Sequence, residues 1–265
     1  MRSANSSEDI SSGSCAIAAM AKASRAGRTK TRLVPPLTFD EAAAFNTAFL
    51  QDVAANIIAA GQSIAIEGYM AFGPPGSEPF FREILPASIG LLEAWLPHFG
   101  DCLFSAITQQ LDRGHQAAVV LNADGPTLPT SLLIEAAEVL ARPGDRIVLG
   151  PSIDGGYYLL GLKQAHRRVF EDIDWSTERV ARQTLERARE LGLSVHTLPA
   201  WYDVDDAETL RTLHAELCAD IAFAADLPPY RASNTATLLR ALVDNSDLIE
   251  RLHNTRACVV ERAAE

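Results

Sequence analysis

Two groups of aspartates follow segments that are predicted to be strands. Asp124 follows the run 117–121 and precedes a Gly-Pro turn, and the cluster Asp203-Val-Asp205-Asp206 follows the segment 194–198. Carboxylate oxygens at such positions suit Mg²⁺ or Mn²⁺, which bind substrate phosphates through few protein ligands. The competing interpretation is that these aspartates cap the helices that follow them.

A cationic segment lies near the beginning of the chain, although the formal net charge is −11. This basic loop contains Lys22, Arg25, Arg28, Lys30 and Arg32. A local cationic patch on an acidic protein suits a small phosphorylated ligand, and a solvated loop is the alternative. The acidic balance of the whole chain argues against binding to nucleic acid, whose phosphates it repels.

Two further motifs each allow a binding role and a structural one. In Asp154-Gly155-Gly156-Tyr-Tyr, adjacent glycines permit close backbone approach, and Asp154 could bind substrate hydroxyls or support a metal. The same letters predict a plain Asp-Gly hairpin turn. Trp175, in Asp174-Trp-Ser-Thr, could stack on a sugar or a base, or could be a core residue beside a helix cap.

Several other kinds of chemistry have no support in the sequence. The six histidines show no H-x-x-x-H spacing, no Gly-x-x-x-x-Gly-Lys motif is present, and the four cysteines lie far apart. No apolar run is long enough to span a membrane. Arg2 is outweighed by Glu8 and Asp9 ahead of the apolar run 15–21, which argues against a secretory signal. We therefore expect a cytoplasmic protein.

Apolar segments alternate with helical patterns, which predicts a mostly parallel sheet covered by helices on both faces. We expect a disordered tail over residues 1–14, a nucleotide-binding domain over 15–220 and a helical extension over 221–265. The predicted strands cover residues 15–20, 63–69, 117–121, 146–150, 157–162 and 194–198. The predicted helices cover residues 38–61, 102–113, 128–142, 176–191, 206–220, 235–243 and 248–260.

Taken together and in order, the motifs resemble the DUF2064 family of GT-A-fold glycosyltransferase-like proteins. This family is related to the MobA-like nucleotidyltransferases and to the phospholactate guanylyltransferases. The resemblance covers roughly residues 15–217 and implies a three-layer GT-A fold. It rests on Lys30-Thr-Arg-Leu33, Ala123-Asp-Gly-Pro-Thr-Leu-Pro129, Asp154-Gly-Gly-Tyr-Tyr158, Trp175-Ser-Thr177 and Asp203-Val-Asp205.

The resemblance also implies roles for individual residues. Asp124 matches the metal-binding aspartate of the superfamily, and Asp205 matches the second expected ligand of Mg²⁺ or Mn²⁺. The phosphate-contacting loop corresponds to Gly27, Arg28, Lys30 and Arg32. The chain departs from the family pattern at Asp101, Gly125, Ile153-Asp154 and Asp206-Ala207. These departures concern the acceptor site more than the fold.

We expect a metal-dependent transferase that uses a nucleotide-activated donor, with glycosyl transfer from a nucleotide-sugar to a small-molecule acceptor as the leading reaction. Nucleotidyl transfer from an NTP to a phosphorylated acceptor is the alternative, and a nucleotide-binding protein without turnover is a third. Asp124 and Asp154 are the expected catalytic residues, and Gly155, Gly156 and Trp175 the expected substrate contacts. A homodimer is left open.

Overall fold

The computed structural model describes residues 13–262, with side chains as far as Thr255. Most of the predicted tail therefore lies outside the described residues. At the end of the tail, Ser14 is fully buried, and its Oγ lies 2.7 Å from Nδ1 of the buried His115. Among the described residues, no helix combines the length and apolar character that crossing a membrane requires.

One seven-stranded sheet organises the chain, and its strand order is β3-β2-β1-β4-β6-β5-β7. All neighbouring strands run parallel except β6, which is antiparallel to both β4 and β5. The prediction of a mostly parallel sheet with residues 117–121 at its centre is confirmed. The strands are β1 (Cys15–Lys22), β2 (Ile66–Gly73), β3 (Gly90–Glu93), β4 (Ala117–Asn122), β5 (Arg146–Pro151), β6 (Tyr157–Leu162) and β7 (Ser194–Thr197).

Helices cover both faces of the sheet, because its central strands are apolar on both sides. On β4, Val119 packs into one hydrophobic core and Val120 into the other. The helices are α1 (Phe39–Gly61), α2 (Glu78–Ile84), α3 (Phe99–Asp112), α4 (Thr130–Ala141), α5 (Val180–Glu190), α6 (Ala207–Cys218), α7 (Ser233–Asn245) and α8 (Leu248–Arg262), with 3₁₀ turns at Thr31–Leu33 and Arg167–Phe170.

The main differences from the sequence prediction are two element boundaries and one strand that was not predicted. The helix predicted from residue 176 begins at Val180, because Ser176 has a φ of 65° that a right-handed helix does not allow. The strand predicted from residue 63 begins at Ile66, since the turn that ends α1 continues to Ser63, whose N–H donates to Ala60 O. Strand β3 was not predicted, because its four residues carry too little pattern.

The last two helices pack against the rest of the chain. The buried carboxylate of Asp52 on α1 accepts hydrogen bonds from the backbone N–H groups of Asn234 and Thr235 at the beginning of α7. On α8, Arg251 donates to both carboxylate oxygens of Glu41 and to Pro36 O. These contacts attach the helices beside the basic loop. The division of the chain at residue 220 stays a prediction.

We expect the Glu41–Arg251 pair to make stability depend on pH. The hydrogen bond from Arg251 is the main cause that lowers the pKa of Glu41. A lowered folded-state pKa stabilises the protein above the unfolded-state pKa, and this contribution is lost as the pH falls through the folded value. Glu41→Gln should therefore lower the free energy of unfolding by about 1–2 kcal/mol at neutral pH.

Urea unfolding at neutral pH and near pH 3 measures this effect, and the gap between wild type and Glu41→Gln should narrow at the lower pH. The matched control is Glu78→Gln, which removes an exposed pairing with Arg82 within one helix. That substitution should change stability by less than about 0.5 kcal/mol. A Glu41→Gln effect equal to that of the control would contradict the prediction.

Candidate functional site

The loops that follow β4 and β7 meet at one edge of the sheet. Val204 N–H donates to Asp124 O over 2.9 Å, which ties the two loops together through the backbone. Asn122 Nδ2 donates to Asp203 Oδ1 at 2.5 Å, and Ser152 Oγ donates to Asp203 Oδ2 at 2.7 Å. Segments far apart in sequence thus place their polar side chains at the carboxyl ends of the strands, where open α/β sheets bind ligands.

The basic loop reaches into this acidic edge through one side chain. Lys30 Nζ lies 2.8 Å from Asp124 Oδ1 and 2.9 Å from Asp205 Oδ1. It also donates to Val204 O at 2.7 Å. The Lys30 side chain is only 6% exposed, and its backbone adopts the left-handed conformation with φ 50°. The structure therefore brings Asp124 and Asp205 to one point, and it places a cation there that the sequence did not predict.

The electrostatics of Lys30 follow from these contacts. Burial lowers the pKa of Lys30, but the charges and hydrogen bonds of Asp124 and Asp205 outweigh it and raise the pKa overall. The ammonium group is therefore charged at neutral pH. It relieves the repulsion that two facing carboxylates would otherwise feel.

The interpretation of the aspartates as helix caps holds for one of them and fails for another. Helix α4 has Pro129 at its N-cap and no side-chain cap hydrogen bond, so the interpretation of Asp124 as a cap is wrong. Asp206 does cap α6, since its Oδ1 accepts from the N–H groups of Glu208 and Thr209. Asp205 faces Lys30 instead. Of these two neighbouring residues, Asp206 is therefore a helix cap and Asp205 is an ion-pair partner of Lys30.

Asp203 is a site residue that the sequence-based selection missed. Burial is the main cause that raises the pKa of Asp203, to about 7, with the charges of Asp124 and Asp205 acting in the same direction. Hydrogen bonds from Ser152 and Asn122 oppose this rise. The available signal was its place in the Asp203-Val-Asp205 motif, a few residues after β7 and two residues before a selected aspartate.

The site opens into a cleft with two lobes. The first lobe has a volume of about 480 Å³ and lies beside the basic loop. The second lobe has a volume of about 440 Å³ and lies beside the Asp154 turn. Asn122, Asp124, Asp205 and Arg32 line both lobes and so form their junction. The volumes fall within the usual range for small-molecule sites.

Most of the predicted phosphate-binding residues line the first lobe. Arg28, Lys30 and Arg32 are all part of its wall, together with Lys22. Arg32 is 74% exposed, and its Nη1 lies 3.9 Å from Asp205 Oδ2. Gly27 is not among the lining residues, and its φ of 71° marks it as a turn residue of the loop.

The second lobe contains Asp154, Gly156 and Trp175, but not Gly155. A Cβ at Gly155 would lie 2.2 Å from Glu178 O, so this glycine permits close backbone packing. Asp154 Oδ1 accepts from Gly156 N–H at 2.9 Å, which supports the hairpin-turn interpretation even though the residue also lines the lobe.

An aromatic pair contributes to the wall of the second lobe. The rings of Trp175 and Phe99 meet edge to face with their centroids 5.3 Å apart, and Phe99 is 52% exposed. Trp175 lines the second lobe and also packs against the hydrophobic core, so both of its predicted roles are compatible with the structure.

The donor set at the junction fits a magnesium or manganese ion. Asp124, Asp205 and the carbonyl of Val204 present three oxygens to the point that Lys30 Nζ occupies. Within residues 13–262, no group of three or more His, Cys, Asp or Glu side chains is arranged to hold a metal. Mg²⁺ needs only one or two protein carboxylates when phosphates and water complete its shell. Such an ion and the Lys30 ammonium cannot share this position.

Comparison with solved structures identifies the fold. The chain is 25% identical to a candidate nucleotide-diphospho-sugar transferase from Desulfovibrio desulfuricans G20, covering 91% of this chain and 98% of that one, with a TM-score of 0.77. CMP:2-keto-3-deoxy-manno-octonic acid synthetase in complex with CTP is 12% identical, with coverage of 79% and 100% and a TM-score of 0.52.

A third structure shares this fold. The 4-diphosphocytidyl-2C-methyl-D-erythritol synthase from Anaerococcus prevotii DSM 20548 is 10% identical, with coverage of 78% and 97% and a TM-score of 0.50. The sequence matches no protein of curated function. The expected nucleotide-diphospho-sugar transferase fold is confirmed by the first of these similarities.

The family match covers the middle of the chain. Residues 56–177 match the family described as "Uncharacterized protein conserved in bacteria (DUF2064)". This range includes Asp124, Asp154 and Trp175, whereas the basic loop and Asp205 lie outside it. The resemblance of the chain to the DUF2064 family, first drawn from its motifs, is thereby confirmed over residues 56–177.

Proposed function

We propose that the protein is a metal-dependent glycosyltransferase that moves a sugar from a nucleotide-sugar to a small acceptor. The observation that carries this proposal is the unequal charge of the two lobes. The first lobe is lined by Lys22, Arg28, Lys30 and Arg32. The second lobe shares only Arg32 with them and adds three acidic residues, namely Asp154, Glu178 and Asp203, of which Asp203 has its pKa raised to about 7.

The first lobe and the junction suit the diphosphate of the donor. Arg28 and Arg32 offer guanidinium groups that pair with phosphate oxygens. Asp124 and Asp205 would hold Mg²⁺ or Mn²⁺ once Lys30 has turned from them towards the phosphates. The ion supplies charge neutralisation to the departing nucleoside diphosphate. Electrostatic stabilisation of a leaving group by fixed cations is usually the largest catalytic contribution in such sites.

The second lobe suits an uncharged sugar and the acceptor hydroxyl. The face of Trp175 offers an apolar surface of the kind on which a sugar ring packs. Asp154 is exposed at the wall of this lobe. We assign it to accept the proton of the attacking hydroxyl, because a positioned carboxylate can act as a general base. The name of the 25% identical relative, a candidate nucleotide-diphospho-sugar transferase, agrees with the proposed use of a nucleotide-sugar.

Nucleotidyl transfer is the second candidate, and the number of cations around the first lobe is the observation that favours it. Four basic side chains exceed what a diphosphate alone needs and would also suit a triphosphate. The acceptor of that reaction would carry its own phosphate, however. A phosphate in the second lobe would face Asp154 and Glu178, and like charges at close range are unfavourable. The charge of the second lobe therefore favours glycosyl transfer.

The experiment that separates these reactions measures the leaving group. The full chain is incubated with Mn²⁺ and either a panel of nucleotide-sugars or a panel of NTPs with sugar phosphates. Release of nucleoside diphosphate from a nucleotide-sugar supports the proposal. Release of pyrophosphate from an NTP supports nucleotidyl transfer and rejects it. Nucleotide-dependent thermal stabilisation without either product identifies a binding protein without turnover.

A further inference from the structure

An exposed tryptophan stands at the end of the first lobe, away from the aspartates. Trp95 directly follows the core segment of β3 and is 46% exposed, which is unusual for so large an apolar side chain. Its indole lies against the backbone of Gly73, where a Cβ would come within 2.0 Å of Trp95 Cε3. The glycine at the end of β2 thus lets the ring lie close to the sheet edge.

The part of the first lobe around Trp95, which we call the slot, is lined mainly by apolar side chains. Phe99, which is 52% exposed, also lines this lobe. Cys102 Sγ, on α3, accepts the N–H of Leu96 at 3.2 Å and so fixes the segment that carries the ring. The small or flexible side chains that line the first lobe together with Trp95 are those of Met20, Ala71, Ala94 and Cys102.

The charged group over the indole is a hydrogen-bond donor only. Lys22 Nζ lies 5.8 Å from the ring centroid of Trp95. Lys22 pairs with Gly73 in the parallel register of β1 and β2, which explains why its ammonium group lies over the ring. An ammonium group has three donors and no acceptor. A ligand in the slot that contacts the Lys22 ammonium must therefore present an acceptor to it.

We propose that this slot binds the base of the donor nucleotide, stacked on Trp95, and that Lys22 selects a base with a carbonyl oxygen at the edge where adenine and cytosine carry an amino group. The slot and the phosphate-facing residues Arg28 and Lys30 line one continuous cavity, so a single nucleotide can occupy both. Guanine and uracil present a carbonyl oxygen where adenine and cytosine present an amino group. The inference rests on the proposed function, because it names the nucleotide that this function would use.

The test compares the binding of GDP, UDP, ADP, CDP and inorganic pyrophosphate to the full chain by calorimetry. Wild type should bind GDP or UDP at least tenfold more tightly than ADP and CDP. Trp95→Ala should lower the affinity for the preferred nucleotide roughly tenfold or more, because stacking on an aromatic ring contributes that much per base. It should leave the affinity for pyrophosphate unchanged. Lys22→Met should reduce the preference between bases.

Two further variants keep the outcome interpretable. Trp95→Phe retains an aromatic face and should retain most of the affinity, even if Trp95→Ala is poorly folded. Phe39→Ala removes another aromatic residue of 52% exposure that is not part of the cavity lining, and it should change no affinity. Equal affinity of Trp95→Ala and wild type for every nucleotide would overturn the proposal, as would equal wild-type affinity for all four bases. Base-selective binding without sugar transfer would reject the proposed function and leave this inference standing.

Discussion

We expect Asp124→Asn to abolish the Mn²⁺-dependent rise in melting temperature that a nucleotide produces, and to lower transferase activity at least ~1000-fold. Asn has the same shape as Asp but lacks the charge that a divalent ion requires. The fold should survive, because Asp124 does not cap α4 and its link to Val204 runs through the backbone carbonyl. The large effect thus arises at the junction of the lobes rather than from unfolding.

The measurement is the melting temperature with nucleotide alone, with Mn²⁺ alone and with both. Asp154→Asn is the matched control, because it removes a carboxylate of the second lobe that no ion contacts in the proposed arrangement. That control should lose activity and keep the combined stabilisation by Mn²⁺ and nucleotide. A normal stabilisation of Asp124→Asn by the same pair of ligands would reject the metal-binding role of Asp124.

The convergence of Asp124 and Asp205 could be predicted from the sequence for a geometrical reason. Each residue follows a strand, and parallel strands of one sheet bring their carboxyl ends to a common edge. The central place of β4 was predictable as well, since its run 117–121 is apolar without interruption and needs cover on both faces. These inferences use local pattern and general sheet geometry, and they need no knowledge of particular contacts.

The position of the Lys30 side chain could not be predicted in the same way. The basic loop carries several cations, and nothing in their spacing says which one turns inward. That choice depends on the left-handed backbone of Lys30, which tertiary contacts hold against its usual preference. The slot at Trp95 could not be predicted for a similar reason. It depends on the contact between Gly73, at the end of β2, and Trp95, which comes after β3.

The second of the largest effects is expected for Lys30→Met, which should change two affinities in opposite directions. The affinity for nucleotide in the presence of Mn²⁺ should fall by roughly tenfold to 100-fold, because a phosphate loses a cationic partner. The affinity for Mn²⁺ alone should rise, since the Lys30 ammonium no longer occupies the point between Asp124 and Asp205. If Lys30 only stabilised the loop, its substitution would not lower the affinity for nucleotide and at the same time raise the affinity for Mn²⁺.

The free energy of unfolding of Lys30→Met should also depend on whether Mn²⁺ is present. Without metal, Lys30→Met removes the ammonium group between two facing carboxylates and should lower the free energy of unfolding by about 2 kcal/mol, a value reduced for their partial exposure. Mn²⁺ should restore much of this loss, because a ligand that binds only the folded state stabilises it. In wild type, Mn²⁺ alone should stabilise the protein less, since it must first displace the ammonium group.

Titration calorimetry with Mn²⁺ alone, and with nucleotide at a fixed Mn²⁺ concentration, measures both affinities. Arg28→Met is the control, because Arg28 is exposed in the same loop and makes no ion pair with either aspartate among the contacts of the described residues. It should weaken nucleotide binding modestly and leave the Mn²⁺ affinity unchanged. The dependence of nucleotide binding on salt should decrease in both variants, because each removes one charge from the phosphate-binding wall. An Mn²⁺ affinity that stays the same or falls in Lys30→Met would show that the ammonium and the ion do not compete, and that the aspartates serve Lys30 rather than a metal.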